Sequence, residues 1–384
     1  MHDEVRYACP VCWAWPFERA FKQNGLDGVR VERVAHLHSV QQLGCAEKKA
    51  LRSHPGFIRM DMTMSENSIW FSGNAFDNLG EKDLLVQIFQ DLDVCDITPP
   101  SVQIPWDAID TTNVIAPGTV ASAKLDKTLV LKPPLGCQGN GIEFVNTVEE
   151  ALPFIMRDAE NAIAEKGFIE SIRRLKGRIP SWVLQAHVPS MLIDKGRKFH
   201  LRAYIVVDQR NEDVFYYDEF EVRVASKPLG ERPYSDRSAH ITNGAGGDET
   251  SRQTFTETKD LLRHRNGVVT FLEKMFEGRI REELFRKNDN CESGLFRPTK
   301  EYALAALDIM IDNHFQPWLL EVNARSPGCP EQGLGSEAFQ RHLVSFAAEI
   351  IQLATTGDSP RFHSIEHKSP ELAEHPTSVS APAL

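Results

Sequence analysis

Residues 303–330 read ALAALDIMIDNHFQPWLLEVNARSPGCP. Two apolar runs of strand length, 307–311 and 317–322, flank the turn-forming Asp312, Asn313 and His314. That pattern predicts a β-hairpin. Asp308 falls inside the first run, and Glu321 and Asn323, two apart near the end of the second, share one face. Trp318, Leu319, Leu320 and Val322 are too apolar for an open edge, which argues against a surface hairpin with scattered polar residues. A carboxylate in a buried strand is costly unless positive charge meets it. Two carboxylates and an amide oxygen on one spot form the hard, oxygen-rich ligand set that Mg2+ takes alongside phosphates.

The segment TLVLKPPLGCQGNGIEFV (128–145) carries the second signal. A strand leads into Lys132, and a loop with Gly136, Gly139 and Gly141 returns into a second strand. Glycines at this spacing let backbone N–H groups approach an anion, and the lysine adds a point charge for phosphate. A plain flexible turn is the alternative. The P-loop pattern is absent and a strand follows the loop rather than a helix, so neither a Walker nor a Rossmann site is predicted.

GRKFHLRAYIVV (196–207) alternates as a strand, with Lys198, His200 and Arg202 on one face and Phe199, Leu201 and Ala203 on the other. VFYYDEFEVRVA (214–225) is expected to pair with it and present Arg223. An arginine there either ion-pairs on the sheet or holds a carboxylate or phosphate bidentately. WVLQAHV (182–188) reads as a buried strand before a hinge at Pro189. Residues 82–92 form an amphipathic helix opened by Lys82, either a solvated lysine or a phosphate contact. Further helices are expected at 147–165, capped by Thr147 and Glu150, and at 258–278, 280–287 and 336–354. Residues 171–180 form a basic loop, and Asn243 sits in a glycine-rich loop where it could serve a metal or a phosphate.

The chain has 384 residues, 41% of them hydrophobic, and a net charge of −11. That supports two or three small domains with cores. No basic stripe dominates and no apolar run reaches membrane-spanning length, so neither a nucleic-acid nor a membrane partner is expected. The first residues, MHDEVRYACPVCW, lack the plan of a secretory signal, and seven scattered cysteines suit a reducing, cytoplasmic setting. Cys9 and Cys12 form a lone CxxC without the further ligands zinc needs.

Four stretches, LVLKPPLGCQGNGI, WVLQAHV with GRKFHLRAYIVV, AHITN, and ALDIMID with WLLEVN, stand in the order and spacing that resemble the tubulin tyrosine ligase-like family of the ATP-grasp superfamily. With GEKDLL (80–85) they span residues 80–328. The resemblance implies a mixed α/β (α+β) chain of ATP-grasp fold, with nucleotide between two sheets and a small N-terminal α/β domain. The expected division is 1–75, 76–188 and 189–354, with 355–384 a disordered tail by composition. ATP would be held by Lys82, Lys132, Gly136, Gln138, Gly139, Gly141, Gln185, His187, Val188, Lys198 and His200, with Asn243 nearby. Mg2+ would be held by Asp308, Glu321 and Asn323, while Arg202, Arg223 and Lys132 would serve catalysis. The implied activity is ligation of an amino acid to a protein or peptide carboxylate, such as a tubulin tail, in a cytoskeleton-associated setting. Alternatives are a peptide or small-molecule ligase, or a nucleotide-binding protein without turnover. The departures from the family pattern are Ala186 and His187 at the hinge, His200 where an acid is usual, and Asp218 where an arginine is usual.

Overall fold

The computed structural model describes residues 5–10, 16, 19–20, 30–34, 58–62, 68–72, 76, 78–94, 96–105, 128–134, 141–164, 181–230, 236–242, 251–285, 300–324 and 335–366. The expected loops at 135–140, 171–180 and 243–250 and the segment 367–384 lie outside them.

The strands are β1 Val5–Pro10, β2 Arg30–Val34, β3 Ile58–Met62, β4 Ser68–Ser72, β5 Ser101–Ile104, β6 Leu129–Lys132, β7 Glu143–Val145 and β8 Trp182–Ala186. They continue with β9 Leu192–Ile193, β10 Arg197–Asp208, β11 Asp213–Tyr217, β12 Glu221–Pro228, β13 Arg252–Thr254, β14 Lys300–Ile311, β15 Pro317–Asn323 and β16 Phe362–Ser364. The helices are α1 Lys82–Asp91, α2 Val148–Ala164, α3 Arg237–His240, α4 Arg265–Met275, α5 Gly278–Phe285 and α6 Glu337–Thr356, with a 3-10 turn at Lys259–His264.

Two sheets result. The smaller runs β5-β8-β6-β7, antiparallel throughout, and α2 packs on it through Ala151 and Ile155. Thr147 Oγ1 accepts the Glu150 N–H as the capping box expects, while the Glu150 carboxylate reaches one residue further back and accepts the Asn146 N–H. The larger sheet follows the order β13-β12-β10-β14-β4-β3-β1-β2, with β15 on β14 and β11 and β9 on β10.

Strand β10 is buried along its whole length because its alternation serves two cores. Phe199, Leu201, Ala203, Ile205 and Val207 face one core with α1 and α4; Tyr204 and Val206 face the other, under α6. Helix α6 begins where Ser336 Oγ accepts the Phe339 N–H and ends at Gly357, whose φ of 83° is the left-handed cap that favours glycine.

Several expectations change. The described strands of 1–75 join the large sheet: β4 pairs in parallel with β14, Lys300 opposite Ile69. The run 214–225 is two strands, because the chain bends at residues 218–220 to bury Phe220 edge-on against Phe255 at 5.5 Å. The helix expected at 258–278 begins as a 3-10 turn. The tail boundary at 355 also moves. Helix α6 runs to Thr356, and β16 pairs with β11, burying Phe362 and Ile365.

Candidate active site

The hairpin of β14 and β15 builds the floor. Asp308 lies opposite Glu321 and Ala306 opposite Asn323, so the three expected metal ligands share one face. The register then slips, with Ile309 opposite Leu319, leaving Leu320 as an extra bulged residue. A bulge frees a backbone group from the ladder. Here the freed Leu320 carbonyl accepts Lys132 Nζ at 3.1 Å, joining the hairpin to the small sheet across 188 residues.

Lys132, Lys82, Gln185, His187, Val188, Lys198, His200, Asp308 and Glu321 all line one cleft between the two sheets, with Phe144, His240 and Thr242. Most of the expected nucleotide and metal residues therefore converge; Gly141 and Asn323 do not line the cleft, although Asn323 reaches it through Asp308, and Gly136, Gln138, Gly139 and Asn243 lie outside the described residues. Gly141 returns the glycine loop with φ +73°, and a Cβ there would meet Pro133 Cγ at 2.9 Å. Both facts require glycine.

The electrostatics divide the two carboxylates. Asp308 accepts Arg202 Nε at 2.8 Å and Nη2 at 2.9 Å, and Asn323 Nδ2 at 3.2 Å. Burial opposes its charge, but Arg202 and His200 outweigh burial and hold the carboxyl well below its usual range. Glu321 goes the other way: burial and the facing Asp308 raise its pKa, against Lys82 and Lys132. A divalent cation between them would take the place of the proton that Glu321 favours, so the residues present fit Mg2+. Among the described residues no cluster of three His, Cys, Asp or Glu offers a different metal site.

Burial lowers Lys132 to about 8, partly offset by Glu321, and lowers Lys198 to about 8. Lys198 Nζ sits 3.0 Å from His187 Nε2 and 3.4 Å from His240 Nδ1. Burial and that ammonium lower His187 to about 3 and His240 to about 4. His200 Nδ1 meets Thr242 Oγ1 at 2.5 Å, while its buried Nε2 stands 3.6 Å from Asp308 Oδ1 with no hydrogen-bond partner. Burial lowers the His200 pKa despite Asp308.

The expected catalytic arginines do not line the cleft. Arg202 is bidentate on Asp308, and Arg223 donates to Glu221 Oε2 at 3.0 and 3.3 Å. Gln185 Nε2 donates to Ser101 Oγ at 3.0 Å, which ties β8 to β5. The His187 N–H is held by the Thr128 carbonyl at 2.9 Å. Sequence reasoning missed Glu221, which is fully buried and accepts Tyr204 Oη at 2.6 Å as well as Arg223. The signal was its spacing of two from Arg223. His240 was also missed, although it lies within the AHITN motif.

The tubulin-tyrosine ligase family model matches residues 78–333, about two thirds of the chain. The chain belongs to the tubulin-tyrosine ligase family. Among its relatives are tubulin glycylase 3D of Tetrahymena thermophila, 27% identical over 48% of this chain and 19% of that protein. Protein polyglycylase TTLL10 of Mus musculus is 23% identical over 61% of this chain and 34% of that protein. Tubulin polyglutamylase TTLL6 of Homo sapiens is 25% identical over 53% of this chain and 23% of that protein. The chain thus aligns with about a fifth to a third of these relatives. No helix among the described residues is long and apolar enough to cross a membrane.

Proposed function

We propose that this family member is an ATP- and Mg2+-dependent ligase that joins an amino acid to a carboxylate of a protein or peptide through an acylphosphate. The observation that carries the reading is the opposed pair Asp308 and Glu321 beside Lys132 in a cleft between two sheets. That is a metal and triphosphate site by donor chemistry. The relatives' names support the substrate class of this reading: a protein acceptor such as tubulin, and a donor such as glycine or glutamate.

Amide formation from a free carboxylate is uphill in water. An oxygen of the acceptor carboxylate attacks the γ-phosphorus, the bond to the β,γ-bridging oxygen breaks, and ADP leaves. The donor amine then attacks the acyl carbon, loses a proton, and expels phosphate. The protein's share is positioning and charge neutralisation. Lys82 and Lys132 hold phosphate oxygens, and the segment 185–188 and Lys198 bind the remainder of the nucleotide. Asp308, Glu321 and Asn323 would hold Mg2+, which would supply Lewis-acid stabilisation of phosphate charge. Arg202 orients Asp308 rather than meeting phosphate directly.

Phosphate release and peptide mass report the activity together. Wild type is incubated with Mg2+-ATP, glycine or glutamate, and a glutamate-rich tail peptide. The reading requires phosphate release that depends on both amino acid and peptide, with a glycyl or glutamyl residue gained by the peptide. Release driven by amino acids alone would favour a small-molecule ligase. Absence of release with every mixture would leave a binding protein.

A further inference from the structure

On the charged face of the large sheet, Arg202 is committed to Asp308 and Arg223 to Glu221. Arg252 is the next guanidinium in the row. It stands directly opposite Arg223 on β13, and Arg223 stands opposite His200, which lines the cleft. Residues opposed across antiparallel strands project to the same side, so the row runs from the cleft toward β13.

Arg252 Nη1 is buried and has no hydrogen-bond partner, and among the described residues no carboxylate forms an ion pair with this side chain. Three guanidinium groups, Arg202, Arg223 and Arg252, therefore face two ionised carboxylates, Asp308 and Glu221. Each of those two carboxylates already holds one guanidinium, Arg202 or Arg223, so neither is left to ion-pair with Arg252. Burial, and then Arg223 beside it, push the Arg252 guanidinium below the usual arginine range, so its charge is held at a cost. The position is rigidly made: the Arg252 carbonyl accepts the Ser336 N–H at 3.3 Å, and a Cβ on Gly335 would lie 3.0 Å from the Arg252 backbone oxygen and Cβ. Glu221 attracts Arg252 only at a distance, and a half-buried, fixed guanidinium with no ion-pair partner among the described residues is a planar fork shaped for a carboxylate.

We infer that Arg252 anchors a carboxylate of the organic substrate, and so determines which donor or acceptor enters. The chemistry is shared by two sources, the α-carboxylate of the amino acid and a side-chain carboxylate of the acceptor peptide. The inference rests on the ligase reading for its place in the reaction, but its test does not need turnover.

Equilibrium binding is measured calorimetrically on the full chain, with and without Mg2+ and a non-hydrolysable ATP analogue, for wild type, Arg252→Gln and Arg252→Lys. The ligands are glycine, glycinamide, a glutamate-rich peptide and its glutamine counterpart. One carboxylate ligand should bind Arg252→Gln about ten- to a hundredfold more weakly than wild type, the loss expected for a charged hydrogen-bonded pair. Its amide counterpart should be unaffected. Loss for glycine assigns the amino acid, and loss for the peptide assigns the acceptor. Equal affinities of wild type and Arg252→Gln for both carboxylates, or no binding of either to wild type, would overturn the inference. Should Arg252→Gln fail to fold, Arg252→Lys decides, since it keeps the charge but loses the fork: unchanged affinity there also overturns the inference. Arg252-dependent carboxylate binding without ATP turnover would refute the ligase reading and leave this site standing.

Discussion

Replacing Glu321 with glutamine should stabilise the metal-free protein while abolishing its response to magnesium. Asp308 and Glu321 are directly opposed across β14 and β15. Opposed residues have Cα atoms about 5 Å apart, and two unit charges at that distance repel by about 3 kcal/mol at an effective dielectric of about 20. Lys82 and Lys132 offset part of this, yet the Glu321 pKa is raised, so burial and repulsion win. Because the shift runs upward, the neutral, nearly isosteric glutamine should be accommodated better than the carboxylate at pH 7, a gain on the order of 1 kcal/mol. The sign on pH follows. A carboxyl raised above its unfolded value contributes stability that is present below about 4.5 and is lost as pH rises through its folded pKa. Wild type should therefore weaken over that rise in metal-free buffer, and Glu321→Gln should not. Denaturant unfolding with EDTA or with Mg2+-ATP measures both effects. A variant destabilised by 2 kcal/mol or more without metal, and still stabilised by Mg2+-ATP to the wild-type extent, would refute the argument that this pair awaits a cation.

Asp308→Ala should cost about 3–5 kcal/mol in denaturant unfolding, because it strands the buried Arg202 without its partner; a cost under 1 kcal/mol would contradict the pairing. His187 and His240, lowered to about 3 and about 4, stay neutral in the fold while the unfolded chain protonates near 6.5. Stability should therefore fall as pH drops from about 6.5 toward 4, and the double variant with glutamine at both positions should flatten that acid titration. Lys132 and Lys198, lowered to about 8, lose their charge above that pH in the nucleotide-free protein. Fluorescent ATP-analogue affinity should fall as pH rises through 8, and Lys132→Met should bind weakly at every pH. Phe362, packed on Tyr217 at 5.1 Å, makes β16 part of the core, so Phe362→Ala should cost about 3 kcal/mol in the same unfolding assay.

The hairpin, the alternation of 196–207 and the amphipathic faces of α1 and α6 were legible in the sequence. Each depends on a local period that the backbone geometry fixes: two residues in a strand, about 3.6 in a helix. That period put Lys198, His200 and Arg202 on one face and Glu321 and Asn323 on another, and the fold keeps both groupings. The positions of Asp308, Glu321 and Lys132 were readable for the same reason, since they sit on strands of strong pattern. The bend at 218–220 was not, because it exists to bury Phe220 against Phe255, a contact between separate segments. Neither was β16, whose short, polar-looking sequence reads as tail until Phe362 finds the cleft between Tyr217 and Phe346.

The sequence by itself determined which side chains share a face, because alternation is a property of the chain. Tertiary structure alone decided whom those faces meet. Arg202 takes Asp308 from 106 residues away, Lys132 takes a carbonyl 188 residues away, and Arg252, beside Arg223, has no ion-pair partner among the described residues. Those outcomes depend on strand order and on a bulge at Leu320, which are set by packing between distant segments.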